Sequence, residues 1–120
     1  EWLQEQLRDP EFRALWEKTA VARAVALALV KYRADHGLTQ KQLADQLGMA
    51  QPQIGRLEMS EHNPSIETLQ RLARGLGQWF IVALGPVGPR AGETVPLPEG
   101  AEVLEDVTTT DGSRVVTAAG

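Results

Sequence analysis

Residues 38–58, LTQKQLADQLGMAQPQIGRLE, constrain the fold more than any other stretch of the chain. They read as two short helices hinged at Gly48. Thr39 is placed to cap the first, accepting from backbone N–H groups that have no helical partner. Leu43, Ala44 and Leu47 recur at helical spacing and define an inward face. Gly48 tolerates the left-handed conformation that stops a helix. After a short turn a second helix runs to about Glu58, with Ile54 and Leu57 inward. Gln51, Gln53 and Arg56 are left on its other face.

Two crossed helices on a glycine turn, the second carrying amides and a guanidinium, form a helix-turn-helix pattern. The side chains suit base edges, since Gln pairs with adenine and Arg with guanine through two hydrogen bonds each. The block resembles the DNA-binding domain of the Xre/Cro/cI family over about residues 20–77. The resemblance is carried by Leu38-Thr39-Gln40, Leu43-Ala44, Leu47-Gly48, Gln51-Pro52, Ile54, Arg56-Leu57-Glu58, Asn63-Pro64-Ser65, Thr68-Leu69 and Leu72-Ala73. It implies a mainly α, lambda-repressor-like bundle of about five core helices. It also implies that Gln51, Gln53 and Arg56 contact bases, and that Thr39, Gln40 and Lys41 anchor on the DNA backbone. The loop after Glu58 lies near that backbone in the family, which adds Ser60, His62 and Asn63. One departure is Ala50, where the family usually places Ser or Thr. Alanine caps poorly, so the second helix is expected to start late or fray.

Upstream, Asp9-Pro10-Glu11-Phe12 resembles the amino-terminal extension of HigA-type antitoxins, a branch of the same family. That resemblance implies a homodimer that represses its own operon by binding double-stranded operator DNA. It implies a second partner as well, a RelE/HigB-like mRNA-cleaving ribonuclease toxin neutralised by direct binding. A stand-alone regulator without a toxin, or an interaction module that makes no use of DNA, remain the alternatives.

Charge is distributed unevenly along the 120 residues. Residues 1–19 hold three basic and five acidic groups, residues 20–77 seven and five, and residues 78–120 two and six. Only the middle segment is positive, although the whole chain carries −4. A modestly positive segment still binds a phosphate backbone, with strong salt dependence. The acidic flanks suit a basic partner. The absence of cysteine rules out disulfides and thiolate metal sites. The strongest apolar run, residues 24–30, is far below the ~20 residues needed to cross a bilayer. A cytoplasmic protein without membrane contact is the expectation. No metal-binding histidine repeat, phosphate loop or nucleophile motif occurs, so neither enzyme activity nor a cofactor is expected.

The chain divides on composition into an N-terminal helical arm (1–19), the helix-turn-helix domain (20–77), a strand (78–84) and a linker and tail (85–120). In the arm, Asp9 caps and Pro10 starts a helix carrying Phe12, Leu15 and Trp16. Residues 19–36 form a helix that is apolar nearly all round, so it must be covered on several sides. The arm and the helix-turn-helix are the expected covers. Ser65 caps a helix to about Leu76, with Ile66, Leu69, Leu72, Ala73 and Leu76 inward and a loose end at Gly75 and Gly77. Trp79 and Phe80 open the strand, which in such antitoxins pairs across a dimer or with a partner. Trp2, Leu3, Phe12 and Trp16 are read as core residues or as a toxin surface, with Trp79 and Phe80 as the second surface. Four glycines and four prolines mark residues 85–100 as a linker. Val103, Val107, Val115 and Val116 flank the turn signal Asp111-Gly112, so residues 101–120 form a hairpin or a disordered tail. The helical core is expected to close by about Leu84, leaving residues 86–120 dispensable for folding.

Overall fold

Helix stops and caps appear where the local chemistry puts them. A computed structural model describes residues 2–87 and 94–120. Its elements are α1 (Trp2–Gln6), α2 (Pro10–Lys18), α3 (Ala20–His36), α4 (Gln40–Leu47), α5 (Gln51–Glu58), α6 (Ile66–Leu76), β1 (Phe80–Pro86), β2 (Glu102–Thr108) and β3 (Ser113–Ala119). Asp9 accepts the Glu11 N–H at 2.9 Å to open α2. Gly37, Gly48 and Gly77 end α3, α4 and α6 at φ 62°, 66° and 66°. Those angles suit glycine, which has no Cβ to clash. No helix is long and apolar enough to cross a membrane among the described residues.

The core is built on one face of α3. Val25 and Leu29 pack with Leu43, Ala44 and Leu47 of α4, Ile54 of α5, and Leu72 and Leu76 of α6. Among the described residues the bundle has four helices after the arm, α3 to α6, rather than about five. Ile66 stands outside it at 70% exposure. Gly75 does not loosen α6. It lies against Leu47, and a Cβ there would land on the Leu47 side chain. The small residue lets α6 approach α4, and Gln46 Nε2 donates to the Gly75 carbonyl at 3.3 Å.

The second cover of α3 is a sheet, not the arm. β3 is its central strand, in the order β1-β3-β2, and both pairings are antiparallel. Ala20, Ala24 and Ala28 are buried yet lie outside the main cluster. They recur every fourth residue and so share one helical face. β2 and β3 lie along α3, and Ala28 shares a small pocket with Leu104 and Ala119. Alanines allow a sheet to sit close to a helix. The arm reaches α3 less extensively, so it cannot supply this cover.

The tail is therefore structural where it is described. Val116, Thr117, Ala118 and Ala119 are buried, which corrects the expectation of a core complete by Leu84. The β2–β3 turn is tied by Thr109 N–H donating to Ser113 O at 2.8 Å and Ser113 N–H to Thr109 Oγ1 at 3.0 Å. Gly112 sits there at φ 96°. The middle of the expected linker, residues 88–93, lies outside the described residues, as does Glu1 of the acidic arm.

Two stability predictions follow from these contacts. Gly75→Ala should destabilise the protein by roughly 1–2 kcal/mol, because overpacking against Leu47 outweighs the ~1 kcal/mol helix-propensity gain. Urea unfolding of the variant measures it. A chain ending at residue 100 should lose its cooperative thermal transition, because β3 and the alanine face of α3 lose their cover together.

Candidate nucleic-acid interface

The two hinged helices are joined by polar contacts as well as by the core. Thr39 forms a reciprocal capping box: Gln42 N–H donates to Thr39 Oγ1 at 3.1 Å, and Thr39 N–H to Gln42 Oε1 at 2.8 Å. Thr39 is thus occupied at the start of α4. α5 begins at Gln51, directly after Ala50, with no side-chain cap. It does not start late. Pro52 in its first turn removes a donor that would need a partner and presets the backbone. Met49 before the cap and Ile54 one turn in both join the core, the arrangement of a hydrophobic staple.

Gln51 and Arg56 stand exposed on the outer face of α5, and Gln53 is half-buried. Gln51 is held from below. Its Nε2 donates to Gln40 Oε1 at 2.8 Å, and Gln40 Nε2 donates to Glu58 Oε1 at 3.1 Å. Glu58 also receives Arg33 through two bonds of 2.8 Å. A single chain of contacts thus runs from α3 through the end of α5 and the start of α4 to the start of α5. The side chain of Glu58 is 8% exposed and that of Arg33 24%. Burial pushes the Glu58 carboxyl up, but the bonds from Arg33 and Gln40 outweigh it and leave it below the usual carboxylate range. Nothing local in the sequence marks Arg33, whose partner lies 25 residues away. Lys41 is exposed, 3.5 Å from the exposed Asp45, a pair of little energetic weight.

The loop after α5 is split in role. Ser60 takes φ 53°, an uncommon angle for a residue with a Cβ, as the chain turns away. His62 is exposed and, with Gln53 and Arg56, lines a shallow depression of about 280 Å³. Asn63 is engaged within the protein. Its Oδ1 accepts the Ala22 N–H at 3.0 Å and its Nδ2 donates to the Lys18 carbonyl at 2.7 Å. Thr19 gives α3 no side-chain cap, so Asn63 supplies one from across the fold.

The aromatic residues of the arm form a file that stays out of the main core. Trp2 meets Phe12 edge-on at 6.3 Å, and Phe12 stacks on Trp16 at 6.3 Å. The Arg23 guanidinium lies 3.6 Å above the Trp16 ring. Trp2 and Trp79 are 67% and 69% exposed, Leu3 and Phe12 are half-buried, and Phe80 packs on the core.

A family described as helix-turn-helix matches residues 29–78. Antitoxin HigA1 of Mycobacterium tuberculosis is 35% identical over 68 residues, 57% of this chain and 46% of that protein. The chain thus spans about half the length of that relative. An uncharacterized HTH-type transcriptional regulator of Haemophilus influenzae is 33% identical over 75 residues, 62% of this chain and 67% of the regulator. Another, from Methanothermobacter thermautotrophicus, is 38% identical over 51 residues, 42% of this chain and 74% of the regulator. The chain belongs to the helix-turn-helix family.

Glu58→Gln should cost about 1–2 kcal/mol, because it removes the counter-charge of the half-buried Arg33 guanidinium while the amide oxygen and the Leu38 carbonyl still accept from it. The folded carboxyl lies below its unfolded value, so its contribution is complete above the usual carboxylate range. It is lost as pH falls through the folded value. The stability gap between wild type and Glu58→Gln, measured by thermal melts, should shrink on acidification.

Proposed function

We propose that this regulator reads operator DNA with α5, as a homodimer, and represses its own operon. The observation that carries the reading is the exposed Gln51 and Arg56 on a helix pinned at both ends by the Gln40–Glu58–Arg33 contacts. Base readout needs side chains held in register with the groove. Gln51 presents its amide from a fixed position, and Arg56 is exposed beside the depression holding Gln53 and His62. Gln40, Lys41, Ser60 and His62 flank this face and serve as backbone anchors. Thr39 contributes through its helix start. Asn63 acts by fixing the loop. A single short helix reads few bases, and two copies on a palindrome double the contacts.

The second function we assign is neutralisation of a RelE/HigB-like ribonuclease toxin. Its support is the similarity to an antitoxin over 68 residues together with the acidic flanks on either side of the positive segment. Opposite charge speeds encounter with a basic protein, while tight binding needs apolar anchors. The arm offers Trp2 and Leu15, exposed at 67% and 60%. The competing reading is a stand-alone regulator. It is favoured by the Haemophilus and Methanothermobacter relatives, of which this chain covers larger shares.

Arg56→Ala should lose ~1–3 kcal/mol of base discrimination, the value of a bidentate guanine contact. Footprinting of the upstream region with both proteins tests it. Equal protection with unchanged preference would refute the role of Arg56. Co-expression with the neighbouring reading frame tests the second function. Absence of any small basic protein beside the gene would leave the stand-alone regulator.

A further inference from the structure

The arm is held to the body at one end, by polar groups. α1 buries no residue, and α2 buries one, the carboxylate-bearing Glu17. A groove of about 560 Å³ lies between Gln4, Leu7 and Arg13 of the arm and Thr110 of the β2–β3 turn. Another, of about 520 Å³, lies between Ala14 of α2 and Val82 and Leu84 of β1. Glu17 closes the gap at its end, accepting the Thr110 N–H at 3.0 Å and the Thr110 hydroxyl at 3.1 Å. The Lys18 carbonyl, next in the chain, accepts from Asn63 Nδ2 at 2.7 Å. Among the described residues the hydrogen bonds from arm to body all fall in residues 16–19. The last turn of α2 is thus tied both to the sheet and to the loop after α5.

That loop has few ties of its own. The Met59 and Ser60 N–H groups only bond back to Arg56 and Leu57 of α5. Among the described residues the side chains of Ser60, Glu61 and His62 make no hydrogen bond within the protein. Asn63 alone reaches across, to Ala22 of α3 and Lys18 of α2. It lines both the groove beside the arm and the depression that holds Gln53, Arg56 and His62. Asn63 is therefore the joint between the arm and the candidate DNA face.

We propose that the arm is a positioning element for DNA binding. Glu17 fixes the end of α2 on the β2–β3 turn, and Asn63 passes that position to the loop carrying Ser60 and His62. A loop tied at fewer points has to be ordered when DNA binds, and that ordering costs affinity. Whatever draws the arm off the body then weakens operator binding without touching the DNA face. The link is one neutral hydrogen bond, which bounds the coupling at about tenfold. The inference rests on the DNA reading above and adds a control to it.

A double-mutant cycle on the full-length chain tests the link. Glu17→Ala loosens the arm and changes no residue of the candidate interface. Asn63→Asp keeps an acceptor for the Ala22 N–H but loses the donor to Lys18, so it cuts the link and leaves the α3 cap. In Glu17→Ala, backbone amides of residues 10–18 should exchange roughly tenfold faster, with those of α4 and α5 unchanged. Its affinity for the upstream operator duplex should fall by about three- to tenfold. That fall should vanish in the Asn63→Asp background, where a loosened arm has nothing to transmit. The charge that Asn63→Asp adds weakens DNA binding in both members of its pair and cancels in the cycle. Where Glu17→Ala does not stay folded at the assay temperature, Glu17→Gln replaces it and should give a smaller fall with the same dependence on Asn63. Equal falls in both backgrounds, no fall in either, or unaltered exchange in the arm would overturn the coupling. If Arg56→Ala weakens operator binding and Glu17→Ala does not, the coupling fails and the DNA reading stands. A wild type that treats operator and unrelated duplex alike would overturn the DNA reading, and the coupling with it.

Discussion

Everything in this fold depends on α3 being covered from two sides. One face, with Val25 and Leu29, takes branched side chains from three helices and makes the main cluster. The other, with Ala20, Ala24 and Ala28, is too shallow to make a core by itself and has to meet a flat surface. The sheet provides that surface, and β3 at its centre is the most deeply buried strand. The chain's last residues and its longest helix therefore depend on each other, although most of the sequence separates them.

Ion pairs and hydrogen bonds hold the periphery onto this frame. Arg23 of α3 bonds Glu105 of β2 at 2.8 Å and carries Trp16 of the arm on its guanidinium face. Glu17 of α2 is buried, and it accepts from the Thr110 N–H and hydroxyl and from Arg13. Burial pushes the Glu17 carboxyl up, but those donors outweigh it and hold it below the usual carboxylate range. The charged form is thus the one that fits. Its contribution is present above the unfolded value and fades as pH falls through the folded one. The arm is fastened to the β2–β3 turn by this carboxylate, while its aromatic file stays partly open to solvent.

The same economy governs the helix-turn-helix half. Gln40, Glu58 and Arg33 are polar groups used to fix the angle between α4 and α5, since a buried carboxylate is tolerated only when it is fully partnered. Asn63 does similar work at the start of α3, capping it through Oδ1 while its Nδ2 donates to the last carbonyl of α2. Polar side chains near the interface therefore divide into those that orient the helices and those that remain outward. Exposure and hydrogen-bond partners separate the two groups where residue type does not.

The sequence alone determined the elements whose chemistry is local. Asp9-Pro10, Thr39 with Gln42, Ser65, and the glycines at 37, 48 and 77 set helix ends through neighbouring atoms, and the structure places those ends within a residue. The outward face of α5 was legible for the same reason, since helical periodicity and the inward Ile54 leave little choice. Only the tertiary structure decided what covers the alanine face of α3, that β3 lies between β1 and β2, and that Asn63 caps a helix 41 residues away. It also decided that Gly75 is a packing residue and that Arg33 reaches Glu58. Each of these is a contact between distant segments, and a residue's local pattern carries no record of a partner that only folding brings within reach.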